Sequence, residues 1–154
     1  MGLKERVNED LKEAMRSVND PDHKFRLSAI RMLKADIMNN EIAKKGELSD
    51  DDIIALIQRQ IKIRNESIEQ FEKGGRDDLV EKERKEAAVL AKYLPEQMSD
   101  NDLRDLAEEA IRETGASSPK EMGKVMSYMM PKLKGRADGK RVNQVVSSLL
   151  RDIR

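Results

Sequence analysis

The sequence predicts an all-α protein. Apolar residues recur at spacings of three and four along the chain, and Gly and Pro are few, 8 and 4 in 154 residues. No segment shows the period-two alternation of a half-buried strand. A charged fraction of 39% and a mean hydropathy of −0.75 would also suit a disordered chain. The charges, however, are mixed in sign and fall between the apolar positions, as on amphipathic helices with salt-bridged outer faces.

Leu3, Val7, Leu11, Ala14, Met15 and Val18 predict a first helix over residues 3–18, broken by Asn19-Asp20-Pro21-Asp22. Phe25, Ala29, Ile30, Leu33 and Ile37, with Met32 and Met38 beside them, form a second. It fades at Lys44-Lys45-Gly46, a cationic last turn and a terminal glycine. Ser49 with Asp52 opens the third as a capping box in which Asp replaces Glu or Gln. Ile53, Ile54, Ile57, Ile61, Ile68 and Phe71 make that helix long, and Gly74-Gly75 ends it. The fourth carries Leu79, Val80, Ala87, Leu90, Ala91 and Leu94, and Pro95 stops it.

Beyond Pro95 the elements shorten. Ser99 and Asp102 open a helix bearing Leu103, Leu106, Ala107, Ala110 and Ile111, closed by Gly115. Ser118-Pro119-Lys120-Glu121 predicts the next N-terminus, with Ser at N-cap, Pro at N1 and Glu at N3. Met122, Val125, Met126, Met129 and Met130 form that helix's apolar face, and Pro131 marks its predicted end. The last helix begins near Asp138 and carries Val142, Val145, Val146, Leu149, Leu150 and Ile153. The expected organisation is a four-helix N-terminal part over residues 1–95, then a small three-helix C-terminal domain over 96–154.

Composition narrows function. There is no Cys and one His, so disulfides, thiolate zinc sites and His-rich metal sites are excluded. No run approaches the roughly 18 apolar residues of a membrane span, and no secretory signal is visible. The expectation is a cytoplasmic protein with no cofactor, metal or membrane partner. Asp50-Asp51-Asp52, Asp77-Asp78 and Glu108-Glu109 are carboxylate pairs of the kind that solvated faces and helix N-termini carry. His23, with no second His at i+4, reads as a surface residue. Gly135 to Arg141 fails as a nucleotide-binding loop: three residues separate its glycines rather than four, and Arg follows the Lys.

The 30 cations and 30 carboxylates cancel, but not uniformly. Residues 96–119 hold two cations against seven carboxylates, a net −5; residues 120–141 hold seven against two, a net +5. Lys132, Lys134, Arg136, Lys140 and Arg141 cluster at one glycine-containing loop before the last helix. Two readings stand side by side. The loop contacts phosphate, aided by glycines and helical N–H groups; or it is a solvated turn whose cations satisfy the end of the Met-rich helix. The methionines at helical spacing read as core, and Tyr128 lies off their stripe.

The segment Met122 to Asn143, MGKVMSYMMPKLKGRADGKRVN, resembles the signature of the GatB/YqeY family, and Val145, Val146, Leu149 and Leu150 fit its last helix. Arg31 to Ala35, Gln60 to Arg64 on through Ser67, Gly75 to Leu79 and Tyr93 to Gln97 are similar to YqeY-type proteins, so the likeness covers most of the chain. Residues 96–154 resemble the tail domain of the B subunit of glutamyl/aspartyl-tRNA amidotransferase, which helps hold tRNA, while the chemistry belongs to other domains. The resemblance implies a non-catalytic tRNA- or RNA-binding accessory protein, with any carbon–nitrogen ligase label inherited by homology. It assigns RNA contact to Lys124, Lys132, Lys134, Arg136, Lys140 and Arg141, loop shape to Gly135 and Gly139, and a helix cap to Asp138. The alternatives are an adaptor for a tRNA-charging enzyme and an amidotransferase component.

Overall fold

The structure, a computed structural model, describes residues 2–153. Seven α-helices and no strand occur among them: α1 Leu3–Arg16, α2 His23–Lys44, α3 Asp50–Lys73, α4 Asp77–Ala91, α5 Asp100–Thr114, α6 Met122–Leu133 and α7 Gly139–Arg151. A single 3-10 turn, Pro119–Glu121, precedes α6. Contacts divide the chain into two compact units, Met1–Leu94 and Pro95–Arg154.

In the first unit α1 to α4 close over Val7, Ala14, Ala29, Ile30, Leu33, Ile37, Ile53, Ile57 and Leu90. These are the residues that the three-four spacing selects. Met15 and Val18, expected on the apolar face of α1, are exposed instead. The helix stops at Arg16, so Val18 lies beyond it. Tyr93 completes this core just past α4; its hydroxyl donates to Asp10 Oδ2 at 2.5 Å, and the Arg6 guanidinium lies 4.8 Å from its ring centroid. Burial, then the Asp10 hydrogen bond, pushes the phenol pKa up. Tyr93 is thereby tied to α1 within the first unit.

The helix ends divide into those with local causes and those without. Ser49 accepts from the Asp52 N–H at 3.1 Å while Asp52 Oδ2 accepts from the Ser49 N–H at 3.1 Å, the reciprocal pair that the spacing predicts. Asp52 is held ionised below the usual carboxylate range, first by that Ser49 backbone bond. Its neighbour Asp50 accepts from the Leu3 N–H at 3.1 Å, so this acidic run caps helices. At the end of α2 the left-handed residue is Lys45, φ 59°, rather than the expected Gly46. The Gly46 N–H reaches Glu41 O and the Lys45 N–H reaches Ile42 O, which are the two bonds of a Schellman end. That pairing puts the strained conformation one residue earlier than the glycine.

Three side chains in the first unit are polar and buried. Arg64 on α3 lies 3.3 Å from Glu83 and 3.7 Å from Glu86, both on α4. Arg64 is 6% exposed and Glu86 2%. Gln60, one turn earlier, donates to Asp36 Oδ2 at 3.0 Å, and Asn40 donates to Asp36 Oδ1 at 2.9 Å. The helices α2, α3 and α4 are therefore joined by a strip of polar contacts beside the apolar core. Removing one member of a buried ion pair leaves the other charge desolvated.

Two stability outcomes follow. Lys45→Gly relieves the left-handed strain and should raise unfolding free energy by about 0.5–1 kcal/mol, read from urea denaturation midpoints. Arg64→Ala should cost about 3–5 kcal/mol, whereas the combined replacement Arg64→Met with Glu86→Leu should cost much less. Equal losses in the two variants would mean that packing, not charge, governs this strip.

Candidate nucleic-acid interface

The second unit places the basic segment. Each of its helices turns one narrow stripe inward: Leu103, Ala107 and Ala110 from α5, Val125, Met129 and Leu133 from α6, and Val142, Val146 and Leu150 from α7. Two of these stripes run at strict spacings of four. Pro131 does not end α6 as expected; it lies inside it. The helix continues because Leu133, one turn after Met129, is buried. Met130, expected on the apolar face, is half-exposed.

The start of α6 also departs from the expected cap. Ser118 makes no side-chain cap bond, and Pro119–Glu121 forms a 3-10 turn. Glu121 instead accepts from the Ser117 N–H and, at 3.1 Å, from the Ser117 hydroxyl. The Ser117 backbone bond, then the hydroxyl bond, lowers the Glu121 pKa. The capping partner has moved by one residue, because a 3-10 turn rotates the chain further per residue than an α-helix.

The turn between α6 and α7 is clasped by the segment before α5. The Met98 N–H donates to Arg136 O at 2.8 Å, and Gln97 Nε2 donates to Gly135 O at 2.7 Å. Arg136 Nε donates to Glu96 O at 3.1 Å. Arg141 Nη2 donates to Met98 O at 2.7 Å and to Asp100 Oδ1 at 2.8 Å. Gly135 has φ 78° and is buried, so a side chain there would be strained. Gly139 is the first residue of α7, and a Cβ added to it would meet nothing within 4 Å. Loop shape therefore rests on Gly135 alone of the two. Asp138 accepts from the Lys140 N–H at 2.7 Å, the cap the resemblance implies. That carboxylate occupies the N-terminus of α7, where an anion was expected to sit.

The predicted cations thus divide. Arg136 and Arg141 are half-buried and bound to the 96–100 segment. Lys124, Lys132, Lys134 and Lys140 are exposed. Lys124 lies 3.4 Å from Glu121. Lys132 donates to the Tyr128 hydroxyl at 3.0 Å, sits 4.3 Å from that ring's centroid and 3.9 Å from Glu109. The Tyr128 bond raises its pKa, with Glu109 adding to the effect. The acidic and basic segments that adjoin in sequence are interleaved in space. His23, expected at the surface, opens α2 half-buried, with Nδ1 enclosed and unpartnered. Among the described residues no group of three or more His, Asp or Glu is placed to hold a metal ion.

A family model described as Yqey-like protein matches residues 4–150. The chain belongs to the YqeY-like family. Proteins named altered inheritance of mitochondria protein 41, mitochondrial, are similar to this YqeY-like chain. The Pyrenophora tritici-repentis protein is 36% identical over 150 residues, 94% of this chain and 79% of the relative. That of Candida glabrata is 38% identical over 117 residues, 73% of this chain and 62% of the relative. That of Saccharomyces cerevisiae is 36% identical over 86 residues, 55% of this chain and 44% of the relative. The chain therefore matches less than two thirds of the length of these two yeast proteins. The relatives' names overturn the cytoplasmic expectation, since they designate mitochondrial proteins. The expectation rests on the lack of Cys and of a visible secretory signal, and neither observation distinguishes the cytoplasm from a mitochondrial location.

The Glu121 cap sets a pH dependence. Its folded pKa lies below the unfolded value, so the stability it adds is present above the ordinary carboxylate range and is lost as pH falls through the folded value. Glu121→Gln should therefore be less stable than the parent at neutral pH, and the gap should close on acidification. Chemical denaturation at a series of pH values checks this, and a gap that widens in acid contradicts it.

Proposed function

We propose that this YqeY-like protein is a non-catalytic accessory that binds tRNA or other structured RNA through phosphate. The reading is carried by one observation: Lys132, Lys134 and Lys140 are exposed around a turn that Gly135 and the 96–98 clasp hold in one shape. Lys124 adds a further exposed cation on α6. Arg136 and Arg141, which the resemblance assigns to RNA, serve here as positioning residues, fixing the turn rather than meeting the ligand. The chain has 3% aromatic residues, so phosphate and RNA shape are read rather than base sequence. The relatives' mitochondrial names make mitochondrial tRNA a substrate to offer beside bulk tRNA.

The test is tRNA binding across a salt series. Three lysines that release counterions give a slope of log affinity on log salt of about −2 to −3. Replacing Lys132, Lys134 and Lys140 together by Ala should remove about 2 from the magnitude of that slope while leaving the thermal midpoint nearly unchanged. Arg141→Ala should lower the midpoint, because it frees Met98 O and Asp100. No binding at low salt, or the same slope in the triple variant, overturns the proposal.

A further inference from the structure

Helix α2 presents an outer face unlike the rest of this charged chain. Met32 is 52% exposed, Met38 50% and Ile42 72%. Exposed Ala35 lies between them, and Arg31, Ala35, Met38 and Ile42 follow one another at steps of four, three and four. That is the seam spacing of one helix packing on another, narrow rather than broad. Methionines suit such a seam, since they reshape to fit a partner side chain.

The charge on this face has one sign. Lys24, seven residues before Arg31, and Arg31 itself are its exposed ionised residues; Lys44, further round the helix, is turned to Asp52 of α3 at 3.3 Å. The two carboxylates of α2 are turned inward and engaged: Asp36 by Gln60 and Asn40, and Glu41 by Lys4 at 2.9 Å and by the Leu48 N–H at 3.0 Å. Neither carboxylate of this 22-residue helix is exposed.

We propose that the outer face of α2 docks an acidic amphipathic helix of a partner protein. The seam selects a helix with apolar residues at alternating steps of three and four. Arg31 and Lys24 select carboxylates beside them. A second copy of this chain is the poorer occupant, because its α2 brings the same cations and no exposed carboxylate. A lipid surface is poorer too: the seam holds no aromatic residue, and the opposite face of α2 is committed to the core.

The experiment uses the full chain and defined probes. One fluorescent helical peptide of about 21 residues carries Leu at the seam positions with Glu elsewhere; the other carries Lys in place of Glu. Anisotropy should show the acidic peptide binding at least about tenfold tighter than the basic one. Met38→Asp should abolish that binding with helicity and thermal midpoint retained, and Arg31→Glu should reverse the preference between the peptides. Failure of the acidic peptide to bind, equal binding of both peptides, or binding indifferent to Met38→Asp overturns the proposal. So does self-association that Met38→Asp breaks, or capture of the chain by anionic phospholipid vesicles through this face.

Discussion

Residues 96–98 lie outside any helix, so their backbone groups must find partners elsewhere or stay hydrated. The Met98 N–H finds Arg136 O, the Glu96 carbonyl accepts from Arg136 and the Met98 carbonyl from Arg141 at the start of α7, while the Gln97 side chain adds a bond to Gly135 O. The turn is built as one side of a clasp. The positive φ of Gly135, the continuation of α6 past Pro131 to Leu133 and the cap at Asp138 are all conditions for bringing its carbonyls and guanidinium groups to that segment. The clasp also consumes charge. Two of the five cations at the turn, Arg136 and Arg141, are bound to the 96–100 segment, and Lys132, Lys134 and Lys140 are exposed.

The first unit uses polar groups differently. Its core is mainly aliphatic, and burying Val, Leu and Ile side chains supplies the non-directional part of its stability, about 1.5–3 kcal/mol for each. Directional information comes from Arg64, Glu83 and Glu86 at the side of that core, together with Gln60, Asp36 and Asn40. An aliphatic stripe tolerates sliding or rotation of one helix on another. A guanidinium that must find two carboxylates on α4 does not. The same inward turning of Asp36 leaves the outer face of α2 apolar and cationic, so polar bonding inside the unit shapes the surface outside it.

Comparison of particular elements separates what was legible in the residues from what was not. Ser49 with Asp52, Ser99 with Asp102, Gly115 and Asp138 were readable as helix ends because each cap is made by residues within three positions of one another. The aliphatic positions were readable because helical periodicity is also local. Lys45, Pro131 and Ser118 were misread where local preference met a stronger demand: a Schellman pairing, the burial of Leu133, and a 3-10 turn bonded to Ser117. The buried polar residues carried no composition signal, since Gln60, Arg64 and Glu86 look in sequence like any outer-face residue of a charged helix.

The sequence by itself determined the helical class, the family and the basic segment after Met122, because each depends on short-range spacing or on motif. Only the tertiary structure decided which cations in that segment are structural and which are exposed. The reason is geometric: a guanidinium chooses among partners that lie about 40 residues away along the chain, as Arg136 does with Glu96 and Arg141 with Asp100. No local pattern encodes that pairing.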